Sequence, residues 1–393
     1  MAVKKNEKKI GTLAVCFLLV VVVFSFLYFG SAVVPPDEYM AVSSEQTILS
    51  TVSVPKPFVA THIKTPEPLK GVYMTSWVAG TPTLRNNIVR LVSETELNAL
   101  VIDIKDNTGR ISYEVSDSDL KEIGSEENRI KDLREFIAKM HEEGIYIIGR
   151  IAVFQDPYMV RRNPELAVKK FSDGAVWRDH KGLSWIDPGA TDHWGYIVKV
   201  AKDAYKAGFD EINFDYIRFP SDGNMYDIAY PWSDGRIKTE VIKEFFAYLH
   251  ENLSDGKIKI SADLFGMTTT NTDDLNIGQL LENAFPHFDY ISPMVYPSHY
   301  PTGFFGIQNV NAAPYDIVKI SMQSAVNRLK VYNDTVASTT VKFRPWLQDN
   351  DYPVHYTPEM VRAQIQATYD VGLTSWALWD AANTYTRAAL LAE

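Results

Sequence analysis

The sequence is nearly free of cysteine, because Cys16 is the only one among 393 residues. A lone thiol cannot form an intrachain disulfide, and the rest of the chain has no cysteine to ligate a metal or act as a nucleophile. The H-E-x-x-H, G-x-S-x-G and P-loop motifs are also absent, which removes three common signatures of hydrolases and phosphate-binding proteins. His180, His299 and His355 stand apart without metal-ligand spacing. We therefore expect neither a metal nor an organic cofactor.

Basic residues are outnumbered, with 39 Lys and Arg against 49 Asp and Glu and a formal net charge of -10. A general nucleic-acid-binding protein needs a basic surface, so this balance argues against nucleic acid as a partner. It slightly favours a neutral or cationic substrate over a polyanion, unless a local basic patch reverses the preference. Aromatic residues are plentiful, with 8 Trp and 21 Tyr. They either fill the core of a large fold or offer flat surfaces on which sugars stack.

One long stretch of the sequence, residues 10–34, contains no charged residue. It exceeds the roughly 20 apolar residues that cross a bilayer and the ~7–15 residues of a signal-peptide core. Lysines at positions 4, 5, 8 and 9 precede it, so residues 1–9 are expected to form a cytoplasmic tail. The pattern predicts an uncleaved signal-anchor, with a cleaved signal peptide as the alternative. The protein would then lie in the cell membrane as a single-pass protein with its main domain outside the cytoplasm.

Residues 35–68 mix Pro, Ser, Thr and charged residues with little periodicity, which is typical of a linker. Beyond them, eight short β-like runs alternate with helical stretches. The runs are residues 71–77, 99–106, 145–154, 209–220, 257–265, 288–297, 342–349 and 372–380. This order predicts an α/β protein whose residues 69–393 form a (β/α)8 TIM barrel, preceded by the N-terminal transmembrane helix and linker.

The clearest helical stretches are residues 129–144, 239–253 and 357–372. The last one begins with Thr357 as a predicted N-cap and Pro358 at the first helical position, and it ends at Gly372. Two of the predicted strand-to-helix loops are long, residues 155–189 and 221–235. Both are rich in Trp, Tyr and Asp, which suits the rim of a binding cleft.

Polar side chains alternate with apolar ones in several predicted strands. We expect the apolar face to lie under the helices and the other face to point into the barrel. The expected inward residues include Asp103, Lys105, Arg150, Asn213, Asp215, Ser261, Asp263, Met294, Tyr296, Arg344, Trp346 and Gln348. Because TIM-barrel active sites lie at the carboxyl ends of the strands, these residues indicate a cleft there.

Asp215 and Asp263 have equivalent depths on neighbouring predicted strands. Two carboxyl groups in one cleft are the usual machinery for cleaving a glycosidic bond, with one as acid and the other as nucleophile or base. Asp103, beside Lys105, is the reserve candidate. Each of these aspartates could instead form a structural ion pair with an arginine such as Arg150.

Residues 183–223, "LSWIDPGATDHWGYIVKVAKDAYKAGFDEINFDYIRFPSDG", resemble the signature of a bacterial glycosyl hydrolase family. That family is catalogued as a domain of unknown function and assigned to the TIM-barrel glycosidase group. The stretches "GVYMTSW", "SADLFG", "ISPMVYPSHY" and "RPWLQD" extend the resemblance over residues 71–380. The resemblance implies the barrel fold and a carbohydrate substrate.

A more distant similarity runs to the chitinase-type barrels. Asp210, Asn213 and Asp215 follow their strand 4 rhythm, and a Met and a Tyr recur on predicted strand 6. However, Ile217 stands where their catalytic Glu would be, so the chitinase mechanism cannot be transferred. An aspartate on strand 4 with an acid on strand 5 is similar to the placement in α-amylase-like barrels.

These observations predict a membrane-anchored, extracytoplasmic glycoside hydrolase that acts on a cell-surface or extracellular polysaccharide. Asp215 would be the nucleophile or base and Asp263 the acid. The predicted substrate-binding residues are Asp103, Lys105, Arg150, Asn213, Arg218, Met294, Tyr296, Arg344, Trp346, Gln348 and Trp379. The alternative is a carbohydrate-binding barrel of the cell envelope without catalytic activity.

Overall fold

The computed structural model describes residues 58–254 and 256–392. Nine strands lie in one parallel sheet. They are β1 (Lys70–Met74), β2 (Ala99–Lys105), β3 (Tyr146–Ala152), β4 (Glu211–Asp215), β5 (Lys259–Phe265), β6 (Tyr290–Met294), β7 (Lys342–Phe343), β8 (Trp346–Gln348) and β9 (Trp376–Trp379). β7 and β8 both pair with β6 and are separated only by Arg344 and Pro345, so together they occupy one position. The sheet therefore has eight strand positions.

The sheet closes on itself. Consecutive strands pair from β1 to β6, β8 pairs with β9, and β9 pairs with β1. Every pairing between named strands is parallel, as expected where helices form the connections. This arrangement confirms the predicted (β/α)8 barrel within the described residues.

Helices connect the strands. They are α1 (Ser76–Ala79), α2 (Pro82–Ser93), α3 (Ser118–Ile123), α4 (Leu133–Glu142), α5 (Pro157–Arg162), α6 (Thr191–Ala207), α7 (Lys238–Leu253), α8 (Leu281–Ala284), α9 (Pro314–Thr335) and α10 (Pro358–Asp370). The predicted cap of α10 is confirmed, because the Thr357 side chain accepts a hydrogen bond from the Met360 N–H. Such a cap satisfies one of the free N–H groups at the start of a helix.

Two apolar layers hold the barrel together. The larger one lies between strands and helices and includes buried side chains such as Ile102, Ile212, Phe245 and Ile365. A smaller cluster fills the barrel interior with Val101, Tyr146, Ile148 and Ala377 among others. The interior is thus packed at its lower levels, which leaves the carboxyl ends of the strands for an open site.

The predicted cytoplasmic tail, the signal-anchor and most of the linker lie in residues 1–57, outside the described residues. Among residues 58–254 and 256–392, no helix is both long and apolar enough to cross a membrane. The last part of the predicted linker is held against the barrel. The Ile63 N–H donates to Asp210 at 2.8 Å, and the His62 ring stacks on Tyr205 at 4.0 Å.

A β-bulge redirects Lys105 away from the barrel interior. Asp103 pairs with Arg150, but Lys105 already pairs with Ile151, so two residues of β2 are opposite one residue of β3. The Lys105 ammonium is fully buried, donates to the Ala152 carbonyl at 2.5 Å and lies 2.9 Å from Asp156. The expectation that Lys105 faces the cleft is therefore not met, because alternation fails at a bulge.

We expect Lys105→Met to lower the free energy of unfolding by about 3 kcal/mol, because it leaves the buried Asp156 carboxylate without its cation. Urea unfolding measures the change. The matched control is the double variant Lys105→Met with Asp156→Asn, which keeps an oxygen for the cap of α5 but removes the unpaired charge. The double variant should recover part of the loss. Equal stability of the single variant and the wild type would contradict the role of the pair.

Candidate active site

A cavity of about 240 Å³ opens at the carboxyl ends of the strands. Eight of the residues predicted from the sequence line it: Arg150, Asp215, Arg218, Asp263, Met294, Tyr296, Trp346 and Trp379. They come from β3, β4, β5, β6, β8, β9 and the loops that follow β4 and β6. Residues distant in the sequence thus meet in one cleft, as expected for the top of a parallel barrel.

Asp215 is the last residue of β4, and the chain turns sharply after it. Tyr216 has a positive φ of 55°, a conformation uncommon for a residue with a side chain. Its N–H donates to Oδ1 of Asp215 at 2.6 Å, and its ring meets Trp185 edge-on at 5.7 Å. The turn holds the Asp215 carboxylate and brings the Tyr216 ring into the wall of the cleft.

Arg150 connects the carboxyl groups of three strands. Its guanidinium donates to Asp103 at 2.6 Å and to Asp215, and its Nε lies 3.8 Å from Asp263. Burial acts to lower the pKa of Arg150, but the charges of Asp103 and Asp215 outweigh burial and hold the pKa well above its usual value. Arg150 is therefore a permanent cation at the centre of the site.

Asp263 is level with Asp215 in the register of β4 and β5, and its side chain is 2% exposed against 8% for Asp215. Oδ1 of Asp263 accepts hydrogen bonds from Asn213 Nδ2 and Trp346 Nε1, each at 2.8 Å. Burial, followed by repulsion from the Asp215 charge, raises the pKa of Asp263 to about 8. Asp263 is thus a carboxylic acid that keeps its proton at neutral pH, whereas Asp215 pairs with Arg150 as a carboxylate.

The two carboxyl groups are close enough to act together. Because one planar guanidinium reaches both, their oxygens cannot lie more than roughly 9 Å apart, within the range of glycosidase pairs. Among the described residues, Asp215 and Asp263 are the only carboxyl groups that line the cavity.

Aromatic rings form the far wall of the cleft. The Tyr296 ring lies 5.3 Å from Trp379 and 5.4 Å from His299. The Trp379 ring also lies 6.4 Å from Tyr73, whose hydroxyl donates to Asp103 at 2.5 Å. Burial lowers the pKa of His299, which keeps this part of the wall uncharged. Flat apolar faces beside polar groups are typical of small-molecule sites.

Two predicted site residues lie beneath the cavity instead of lining it. Asp103 is buried under Arg150, where burial raises its pKa despite the Arg150 charge. Asn213 holds Asp263 and Ser261 in place and is 3% exposed. Both residues therefore orient the lining groups and do not themselves face the open space.

Arg344 and Gln348 lie elsewhere. Arg344 pairs with Glu211 at 2.5 Å and stacks on Tyr290 at 3.7 Å, at the amino-terminal side of the barrel. Gln348 is fully buried, accepts a hydrogen bond from the Ser298 N–H, and donates to carbonyl groups in the loop after β8. Substrate contact was expected for both, but neither lines the cavity: Arg344 lies at the opposite side of the barrel, and the side-chain amide of Gln348 bonds to the protein.

Sequence reasoning missed several lining residues: Lys181, Tyr216, Phe265, Met267, His299 and Tyr300. Strict alternation would put Tyr216, the residue after the inward Asp215, on the outward face of the predicted strand 209–220, but β4 ends at Asp215. The others lie at or beyond the end of a strand or in the long loop after β3, where periodicity carries no information. Their only signal was the aromatic and charged composition of the segments after the strands.

In the part of the chain that the structure describes, no group of three or more His, Cys, Asp and Glu residues could hold a metal ion.

The raised pKa of Asp263 should make stability depend on pH. The carboxyl keeps its proton longer in the folded chain, so its contribution is fully present below the unfolded pKa near 4 and is lost as pH rises through about 8. Relative to Asp263→Asn, which does not titrate, the wild type should lose about 2–5 kcal/mol of unfolding free energy between pH 4 and pH 9. Denaturant unfolding of both proteins across this range measures the difference. A constant difference would show that Asp263 is ionised at neutral pH.

Comparisons with known proteins concern the family and the fold of the chain. A family model described as "Putative glycosyl hydrolase domain" matches residues 71–385. A hypothetical protein from Ruminiclostridium thermocellum is 38% identical over 49% of this chain and 96% of that chain, with a TM-score of 0.45. No curated protein sequence matches the chain.

Two solved enzymes share the fold at low identity. The PgaB (BpsB) glycoside hydrolase domain from Bordetella bronchiseptica is 14% identical over 80% of this chain and 94% of that chain, with a TM-score of 0.54. Alpha-L-fucosidase isoenzyme 2 from Paenibacillus thiaminolyticus is 12% identical over 82% of this chain and 48% of that chain, with a TM-score of 0.50. At these identities the likeness concerns the fold alone.

Proposed function

As this chain belongs to the "Putative glycosyl hydrolase domain" family over residues 71–385, we propose that it cleaves glycosidic bonds of a cell-surface or extracellular polysaccharide. We further propose that residues 10–34 anchor it in the membrane, with the barrel outside the cytoplasm. The support for the anchor is the long uncharged run after four lysines.

The observation that carries the catalytic proposal is the pair of unlike carboxyl groups in one cleft. Asp263 is buried and protonated, whereas Asp215 is paired with a cation. Glycosidases need this division, because one group must donate a proton while the other carries negative charge.

In the proposed reaction, Asp263 gives its proton to the glycosidic oxygen as the bond to the anomeric carbon breaks. Asp215 either attacks that carbon and forms a glycosyl-enzyme ester, or removes a proton from the attacking water. In the first case water later cleaves the ester, and its proton returns to Asp263. The upper limit of roughly 9 Å between the two groups is compatible with either route. The Trp346 indole N–H donates a hydrogen bond to Asp263. The Tyr296 and Trp379 rings provide the surface on which a sugar ring stacks.

A reducing-end assay of the purified full-length chain on a panel of bacterial and plant polysaccharides tests the proposal. New reducing ends should appear on at least one substrate. Asp119→Asn, which changes an exposed aspartate of α3 outside the cleft, is the matched control and should keep full activity. If turnover persists when both Asp215 and Asp263 are replaced by Asn, the assignment of the pair fails.

Two observations favour the second candidate, a carbohydrate-binding barrel without turnover. Arg150 bonds to both Asp103 and Asp215, an arrangement that could be purely structural. Ile217, where chitinase-type barrels carry the catalytic Glu, is fully buried and apolar. Binding of a polysaccharide in affinity electrophoresis, with no reducing ends released from any substrate, would favour this candidate.

A further inference from the structure

Arg218 is a buried cation without a carboxylate partner. It lines the cavity, is 9% exposed, and makes no ion pair within 4.0 Å among the described residues. Its one hydrogen bond to the described part of the chain runs from Nη1 to the Phe219 carbonyl at 3.0 Å. The guanidinium is instead surrounded by rings, 5.0 Å from the centre of Trp185 and 4.8 Å from that of Phe265. Burying an unpaired charge costs free energy of folding. An unpaired buried cation in a cleft therefore indicates a place where a ligand supplies the opposite charge.

Two of the three aspartates whose charges act on Arg218 are already engaged. Asp215 is bound by Arg150, and Asp179 accepts hydrogen bonds from Gln155 and Trp185. Asp222 is exposed to solvent. Burial lowers the pKa of Arg218 despite the charges of these acids, so their attraction does not compensate for its removal from water.

Lys181 adds a second positive charge to the same cleft. It lies in the long loop after β3, beside the segment that supplies Trp185. Its backbone N–H donates to Asp179, whereas its ammonium has no ion-pair partner among the described residues. The mouth of the cleft is therefore electropositive in a protein whose net charge is -10.

We propose that Arg218, assisted by Lys181, binds a carboxylate of the substrate and makes the protein specific for acidic polysaccharides built from uronic-acid-type sugars. This inference rests on the proposed function and names the substrate class of the same cleft. It reverses the neutral or cationic preference that the overall charge suggested, because a local patch decides what enters a cleft.

A sugar carboxylate fits better than a phosphate. With Nη1 already donating to Phe219, the guanidinium still has N–H groups that can hold both oxygens of a carboxylate. Asp215 lines the same cavity, and its negative charge would oppose a dianion more strongly than a monoanion. The aromatic rings around Arg218 exclude water, which strengthens the interaction with the carboxylate.

The test compares binding of D-glucuronate and D-galacturonate with that of D-glucose, D-galactose and D-glucose 6-phosphate, by NMR titration of the full-length protein. The uronates should bind at least about tenfold more tightly than the neutral sugars, and high salt should reduce this preference. Arg218→Gln should abolish the preference for uronates, and Arg218→Lys should retain part of it. Lys181→Gln should weaken the preference without affecting folding, because the Lys181 side chain is exposed. Lys139→Gln, which removes an exposed lysine of α4, is the control and should leave it unchanged.

Equal binding of uronates and neutral sugars would overturn the proposal, as would no binding of any uronate or a preference for the phosphate. If folded Arg218→Gln still prefers uronates over neutral sugars, the proposal is also overturned. If Arg218→Gln does not fold, Lys181→Gln provides the test, and an unchanged preference in that variant overturns the proposal. The binding assay needs no turnover. Uronate binding without hydrolysis would refute only the hydrolase proposal, whereas cleavage of neutral glycans alone would refute only the specificity proposal.

Discussion

Asp263→Asn should lower kcat on a polysaccharide substrate by about 10²–10⁴-fold, the usual contribution of a positioned general acid. Asparagine keeps the shape of the side chain and an oxygen for the Asn213 and Trp346 donors, so the fold should persist. Only the proton is lost. The measurement is the initial rate of reducing-end release by the two proteins.

The leaving group separates the role of Asp263 from that of Asp215. An aryl glycoside with an acidic phenol needs little protonation, so Asp263→Asn should recover much of its activity on such a substrate. Asp215→Asn should stay inactive on both substrates, because it lacks the carboxylate that attacks or activates water. If Asp263→Asn is impaired equally on both substrates, Asp263 is a positioning residue and the proton comes from another group.

Arg150→Met should lower the free energy of unfolding by about 5 kcal/mol at pH 8, the upper end of the range for breaking a buried ion pair. It leaves Asp103 and Asp215 without their cation and removes the charge nearest to Asp263. Burial raises the pKa of Asp103, and protonation of Asp103 at lower pH relieves the repulsion, so the loss should be smaller at pH 5. Urea unfolding at both pH values measures the effect.

The matched control for Arg150→Met is the double variant with Asp103→Asn, which removes one of the unpaired carboxylates. It should recover part of the stability at pH 8, because Asp215 is then the main carboxylate left without its cation. If Arg150→Met has the same stability as the wild type at pH 8, the carboxyl groups are already neutral in the wild type. The proposed charge division between Asp215 and Asp263 would then be wrong.

The barrel could be predicted because its signals are local. Short β-like runs marked all eight strand positions, and Thr357 with Pro358 marked the start of α10. Alternating polarity pointed Asp215 and Asp263 to one side, since side-chain direction in a regular strand depends only on the parity of the position. The long loops after β3 and β4 also indicated a cleft by their composition.

Prediction failed where the backbone departs from a regular strand. The bulge in β2 sends Lys105 under the helices, and the positive φ of Tyr216 brings an expected outward ring into the cleft. Gln348 has the register of a cleft residue, but backbone groups of neighbouring loops occupy its polar atoms. None of these features follows from the identity of the residue, because each depends on what the neighbouring segments require.

The sequence alone determined the family, the order of strands and helices, and the presence of acids at the strand ends, because each of these is written in local patterns. The charge state of those acids was decided only by the tertiary structure. Arg150 neutralises Asp215 and burial keeps the proton on Asp263, while Arg218 has no ion-pair partner among the described residues. Interaction between charges depends on distances between strands and on exclusion of water, and neither exists until the barrel has closed.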